Sequence, residues 1–158
     1  MIRCLKLVVV FGAASLLAQA AVAAAPNAKL WDGTWHLNAA ASKWRAGGKE
    51  VNETRSYNYA GGKLTMKSSA KDDKGKETNF SYSAGCDGKS APMVGNPNAD
   101  SISLTCVSGS EIKATSSKKG KVTVQSTATV SADGKHLTLK RTYVGMKGAP
   151  TETLEFGR

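Results

Sequence analysis

The chain has 158 residues, and its composition fits one small folded domain. It contains 22 Lys and Arg against 12 Asp and Glu, with 16 Gly, 4 Pro and 6% aromatic residues, which argues against a disordered or collagen-like chain. The formal net charge of +10 at pH 7 favours anionic surfaces, polymers or small anions, but it says nothing about the fold. The lysines are scattered over many turns, and only Lys118, Lys119 and Lys121 form a tight run.

The first 23 residues have the features of an export signal. Arg3 and Lys6 precede an apolar run over residues 7–18, and a tract of small residues follows. The run is too short to span a bilayer, so a membrane anchor is the weaker interpretation. We expect cleavage after Ala20 or Ala23, a mature net charge of +8 from 20 Lys and Arg against 12 Asp and Glu, a short flexible N-terminus over residues 24–29, and a periplasmic or secreted protein.

Two cysteines remain after the predicted cleavage, and their spacing indicates a disulfide. Cys86 and Cys106 are centred on residues 95–98 (Gly-Asn-Pro-Asn), so a hairpin that turns there sets them opposite each other. In an oxidising compartment they should pair and stabilise the fold by about 3 kcal/mol. A redox-active pair is disfavoured because no Cys-x-x-Cys is present. We expect no metal site, because only His36 and His136 could complete one.

From residue 30 onward, apolar and polar residues alternate in short runs separated by glycine-containing turns. The first strand is predicted over residues 30–38, with one face formed by Trp31, Gly33, Trp35 and Leu37. Residues 39–49 contain Ala39-Ala40-Ala41 and Trp44, and they favour either one helical turn or a lid.

The next strands carry the larger polar and aromatic side chains on a common face. The second strand places on that face Val51, Glu53, Arg55, Tyr57 and Tyr59. The return strand adds Leu64 and Met66, and the strand after it adds Phe80 and Tyr82.

The second half of the chain repeats the pattern. Its clearest alternation predicts one strand face made of Val122, Val124, Ala128 and Val130. Asp133-Gly134 is typical of a tight hairpin turn, and the return strand then points inward with Leu137, Leu139, Arg141 and Tyr143. About ten short strands joined by hairpins predict an all-β fold, a single antiparallel up-and-down barrel of about 8–10 strands over residues 30–158. A two-sheet sandwich is the alternative.

The sequence from Gly33 to Asn38 (Gly-Thr-Trp-His-Leu-Asn), followed by Ser42-Lys43-Trp44, resembles the opening of lipocalin-like (calycin-type) bacterial secreted proteins. The resemblance implies structural roles for Gly33 and Trp35. In calycins the first-strand Trp closes one barrel end against a basic residue from a late strand, which here would be Arg141 or Arg158. Avidins share Gly-Thr-Trp, but this chain lacks a matching set of further tryptophans.

Arg141-Thr142-Tyr143 also looks like the carboxylate-gripping element of intracellular fatty-acid-binding proteins, and Arg55-Ser56-Tyr57 repeats it. The chain lacks the helix pair of that family. The sequence therefore predicts a cavity for an apolar or amphipathic anion such as a fatty acid, with no cofactor. The predicted ligand-binding residues are Arg141, Tyr143, Arg55, Tyr57, Tyr82 and Met66.

Other functions are kept as alternatives. In the simplest alternative these same side chains fill the barrel interior, with Arg141 stacked on Trp35 and Arg55 paired with Glu53. The basic exterior then binds anionic envelope polymers or a protein partner. Catalysis is disfavoured because His36 and His136 fall on solvated positions and no nucleotide or zinc motif occurs. We therefore expect no catalytic residues, no binding of nucleic acid, no membrane anchor, and a monomer.

Overall fold

In the computed structural model, which describes residues 24–48 and 50–158, the chain forms a closed barrel of ten antiparallel strands. Each strand pairs with the next along the sequence, and the first pairs with the last to close the sheet. The predicted up-and-down barrel is confirmed, and the sandwich is excluded. The elements are α1 (Ala28–Trp31), β1 (Gly33–Leu37), β2 (Glu50–Ala60), β3 (Lys63–Asp72), β4 (Glu77–Gly85), β5 (Asp87–Val94), β6 (Ser101–Cys106), β7 (Glu111–Lys118), β8 (Lys121–Val130), β9 (His136–Thr142) and β10 (Thr151–Gly157).

The core lies inside the barrel because each strand turns alternate side chains inward. Leu64, Leu104, Leu137 and Leu154 are all at most 1% exposed, and burial of such a side chain stabilises the fold by about 1.5–3 kcal/mol. Within the described ranges, no helix is long and apolar enough to cross a membrane. The predicted signal sequence lies outside those ranges.

The first strand begins later than predicted. Trp31, expected on one face of this strand together with Trp35, lies instead in α1, and β1 starts at Gly33. The side chain of Asn27 accepts a hydrogen bond from the Lys29 N–H, and the Asn27 carbonyl accepts one from the Leu30 N–H. These two bonds favour a helical turn over the extended backbone that alternation alone indicates.

Two β-bulges also change the predicted alternation. The register between β2 and β3 shifts beside Val51, and the register between β7 and β8 shifts beside Ser117. Because one extra residue moves its neighbours to the opposite face, Val51 and Val122 are 48% and 42% exposed. The prediction that Val51 and Val122 share a strand face with the residues two positions further on is wrong, and Glu50 and Thr123 line the interior beside them.

The disulfide between Cys86 and Cys106 is present as predicted, with the two Cα atoms 5.2 Å apart. Cys86 lies between β4 and β5, and Cys106 is the last residue of β6. The β5–β6 hairpin turns at residues 95–100, so the position of the turn was also correct.

One end of the barrel, called here the closed end, is covered by α1. The indole N–H of Trp31 donates to the Gly109 carbonyl (2.9 Å), and the Tyr59 backbone N–H donates to the Asp32 carboxylate (2.6 Å). The opposite end, called here the open end, consists of the loops and turns at residues 38–48, 71–77, 95–100, 118–121 and 143–150.

Candidate functional site

A cavity of about 200 Å³ lies inside the barrel. It reaches from Trp31 at the closed end to residues 96–99 and Tyr143 at the open end. The interior is therefore not filled by its side chains, contrary to the filled-barrel alternative. All six predicted ligand-binding residues line this cavity, namely Arg55, Tyr57, Met66, Tyr82, Arg141 and Tyr143.

The inner part of the cavity wall is apolar. Met66 and Met93 come from β3 and β5, and both are at most 7% exposed. Leu104 and Ile112 complete this side from β6 and β7. A surface of this kind binds the apolar part of a ligand with little requirement on its shape, because methionine side chains are adaptable.

A buried ion pair from β2 forms the polar floor. Arg55 Nε donates to Glu53 Oε1 at 2.6 Å, and the Ser68 hydroxyl donates to the same oxygen at 2.7 Å. Arg55 Nη1 also donates to the Tyr57 hydroxyl at 3.4 Å. Burial by itself would raise the pKa of Glu53, but the guanidiniums of Arg55 and Arg141 outweigh that effect and lower the pKa to about 2.

A second ion pair lies nearer the open end. Arg141 Nη1 donates to Glu152 Oε1 at 3.1 Å, and the Tyr143 hydroxyl donates to the same oxygen. Arg141 Nη2 lies 3.9 Å from Glu53 Oε2, which connects the two pairs. Both inward arginines of the sequence prediction are therefore already neutralised by glutamates of the chain itself.

Glu50 adds one titrating group to this network. Its Oε2 and the Oε2 of Glu53 are both buried without a conventional hydrogen-bond partner among the residues that the structure describes, and one proton between the two carboxyl groups would satisfy both. Burial and, to a smaller extent, the neighbouring Glu53 carboxylate outweigh the lowering effect of Arg141 and together raise the pKa of Glu50 to about 7. With Glu50 protonated, the charges of two arginines balance those of two glutamates.

One buried donor of the network remains unused. Arg55 Nη2 is buried and has no hydrogen-bond partner within residues 24–48 and 50–158, although Arg55 lines the cavity. Unpaired buried polar groups of this kind are costly and usually signal a water or a ligand. Tyr82 also lines the cavity, and burial raises the pKa of its hydroxyl, so Tyr82 is a neutral donor at neutral pH.

Sequence reasoning missed Glu50 and Glu152 as members of the site. Glu152 is 5% exposed and shares the inward face of β10 with Leu154 and Phe156, so period-two alternation could have identified it. Glu50 faces inward only because of the bulge beside Val51, for which the sequence carries no signal.

The two predicted structural residues lie at the closed end. Trp35 is fully buried, and the Arg158 guanidinium carbon is 4.3 Å from its ring centroid. Arg158 is thus the basic partner of Trp35, and Arg141 is not. Gly33 has a φ of +127°, a backbone conformation that favours glycine, and it lies beside the Arg158 side chain.

The two histidines lie outside this site. His36 and His136 are exposed, as the sequence predicted, and the Thr54 hydroxyl approaches His36 Nδ1 at 3.4 Å. Among the residues with described positions, no three His, Cys, Asp or Glu side chains come together as metal ligands.

Comparison with known proteins adds little to this geometry. No family model and no curated protein matches the chain. One similar solved structure is a redesigned β-barrel, mFAP1, bound to DFHBI, with 12% sequence identity, a TM-score of 0.47, and alignment over 85% of this chain and 100% of that one. The lipocalin-like family therefore remains a resemblance carried by residues 33–44.

Proposed function

We propose that this chain is an exported, monomeric and non-catalytic barrel that binds a small amphipathic molecule in its interior. The observation that carries the proposal is the cavity of about 200 Å³, with an apolar wall on one side and a buried, unpartnered guanidinium nitrogen at Arg55 on the other. Concave, mostly apolar sites with a few polar groups that fix orientation are typical of ligand binding.

The size of the cavity favours a compact ligand. An engineered apolar cavity of about 150 Å³ accommodates benzene, and sites for drug-sized ligands start at about 300 Å³. A volume of about 200 Å³ therefore suits one aromatic ring or a short chain with a polar head. A long-chain fatty acid would have to leave much of its chain outside.

The charge of the network favours a head group that is not ionised. Glu53 and Glu152 already compensate Arg55 and Arg141, so a ligand carboxylate would add an uncompensated charge to a buried site. A hydroxyl or carbonyl oxygen instead needs only a donor, which Arg55 and Tyr82 supply. The anionic ligand predicted from Arg-x-Tyr is thus the less favoured version of the proposal.

Methionine methyl NMR tests the site, because the chain has methionines inside and outside it. Met66 and Met93 line the cavity, whereas Met146 is 46% exposed on the open end. On titration with 2-phenylethanol we expect the methyl signals of Met66 and Met93 to shift with one saturable dissociation constant, and that of Met146 to stay. Phenylacetate, with the same ring and an ionised head, should bind more weakly.

Substitutions at matched positions locate the ligand. Ala128→Leu fills the cavity and should weaken 2-phenylethanol binding at least tenfold, whereas Ala132→Leu in an exposed turn should leave it unchanged. Tyr82→Phe removes one donor and should weaken binding about threefold to tenfold. Equal binding by the Ala128→Leu variant and the wild-type protein, or unshifted Met66 and Met93 signals, would refute the proposal. Tighter binding of phenylacetate would refute only the neutral head group.

A further inference from the structure

Exposed apolar side chains are concentrated at the open end. In the part of the chain that the structure describes, six large hydrophobic residues are more than a third exposed. All of them except Val107 lie at or beside the open end, namely Val51, Val94, Val122, Val144 and Met146. Single exposed apolar residues are common on proteins. Their segregation to the end where the cavity approaches the surface is a feature of this chain.

The same end carries most of the excess positive charge. The loops and turns that define the open end contain nine Lys and Arg against four Asp and Glu, a net charge of +5. The closed end contains five Lys and Arg against four Asp and Glu, a net charge of +1. This count covers residues 24–32, 60–63, 85–89, 106–111, 131–136 and Arg158. The excess positive charge is therefore greater at the open end than at the closed end.

Hydrogen bonds fix the open-end loops to one another. The Lys119 N–H donates to the Asp100 carboxylate at 2.9 Å, which joins the β7–β8 turn to the β5–β6 hairpin. The Gly145 N–H donates to the Thr123 carbonyl at 3.2 Å, which holds the β9–β10 loop against β8. The guanidinium of Arg45 lies 4.6 Å from the Tyr143 ring centroid. The apolar and basic side chains are thus presented together.

We propose that the open end docks on an anionic lipid surface and that the cavity exchanges its ligand there. Lysines near such a surface are attracted to its negative charge, and aliphatic side chains between them gain from burial at the boundary with the acyl chains. A lipid surface fits better than a protein partner, because a fluid interface accommodates scattered contacts. Val51, Val94 and Val122 lie at the ends of three different strands, and Val144 and Met146 lie in the β9–β10 loop. A small amphipathic ligand could then pass between bilayer and barrel without crossing water.

Sedimentation with vesicles tests the docking surface with no small molecule added, so its failure would leave the proposed cavity function standing. We expect binding to phosphatidylcholine vesicles that contain about 30 mol% phosphatidylglycerol and little binding to phosphatidylcholine alone. Raising the salt from about 0.05 M to about 0.5 M should weaken the binding, because surface charges are screened.

Matched substitutions at the two ends locate the surface. The open-end double variant, Lys121→Gln with Lys147→Gln, should weaken vesicle binding by about fivefold per lysine. The closed-end double variant, Lys63→Gln with Lys135→Gln, should change it less than about twofold. The reason is that the potential of the membrane surface decays over a Debye length of about 10 Å at 0.1 M salt. Both double variants change the net charge equally, and all four lysines are exposed.

The apolar contribution is tested in the same way. Met146→Ser should weaken vesicle binding, and Val107→Ser at the closed end should not. An unchanged Met66 methyl signal in each variant shows that the barrel is intact. Absence of binding to the anionic vesicles, equal binding to neutral vesicles, or equal losses from the two pairs of lysine substitutions would overturn the proposal.

Discussion

The two ends of the barrel differ in what their side chains do. At the closed end, Trp35 donates a hydrogen bond to the Trp31 carbonyl of α1 and the Arg158 guanidinium lies over the Trp35 ring. The local charge there is nearly balanced. The open end leaves valines and lysines in solvent and holds the titrating Glu50 beside the cavity. We infer that the closed end stabilises the fold, while the open end and the network behind it determine what the barrel binds.

The largest expected effect comes from breaking the closed end. Trp35→Ala removes a fully buried indole whose N–H donates to the Trp31 carbonyl at 3.1 Å, and truncation of a buried Trp costs about 3–5 kcal/mol. Urea denaturation should therefore show a large fall in the free energy of unfolding. Trp44→Ala, at a half-buried tryptophan of the open end, is the matched control and should cost about 1 kcal/mol. Equal losses would remove the distinction between the ends.

The closed end was largely predictable because its signals are local. Gly33 and Trp35 lie two residues apart in one predicted strand, and the resemblance to calycins implies a basic partner for the tryptophan. The choice of Arg158 over Arg141 could not be made from the sequence, because it depends on where two distant strands end. Trp31 was assigned to the wrong element because the cap at Asn27 competes with the alternation.

The open end was less predictable because its chemistry depends on register. Alternation placed Arg55 and Arg141 inside correctly, and both line the cavity. It offered the pair of Arg55 with Glu53 only within the filled-barrel alternative, and it did not show that Glu152 neutralises Arg141. A strand pattern gives the face of a residue but not its distance from others. The bulge beside Val51 inserts one residue into β2 and turns Glu50 inward, and the sequence carries no pattern that indicates it.

The free energy of unfolding should depend on pH through Glu50, which belongs to the buried network near the open end. This dependence distinguishes the open end from the closed end. The pKa of Glu50 is about 7 in the folded protein against 4.5 for the ordinary group, so the folded state holds an extra proton between these values. Binding of this proton stabilises the folded state fully below pH 4.5, and the stabilisation is lost as the pH rises through 7. The free energy of unfolding should fall by about 3 kcal/mol over this range.

Urea denaturation at a series of pH values from 4.5 to 8 checks this decrease. Glu53 has the opposite pH dependence, because its pKa is lowered to about 2 and its protonation destabilises the folded state. That loss of stability occurs below pH 4.5 and therefore lies outside the measured range. Glu50→Gln keeps a hydrogen-bonding side chain but cannot titrate, and its stability should be flat over the same range. A decrease that persists in the Glu50→Gln variant would assign the proton to another group.

The smallest expected change in stability comes from substituting two arginines that each lie over an aromatic ring, one at each end of the barrel. Arg158 stacks on Trp35 and donates to the carbonyls of Leu30 and Asp32, whereas the stack of Arg45 on Tyr143 has only a 3.4 Å hydrogen bond to Ala46. Arg158→Ala should therefore lower the free energy of unfolding by about 1–2 kcal/mol, and Arg45→Ala by less than about 1 kcal/mol.

Arg158→Lys separates charge from shape in this comparison. Lysine keeps the positive charge but lacks the planar fork that contacts two carbonyls and the indole face together. We therefore expect the Arg158→Lys variant to unfold at nearly the same urea concentration as the Arg158→Ala variant. Full stability with lysine would mean that the positive charge alone, and not the planar guanidinium, closes this end of the barrel.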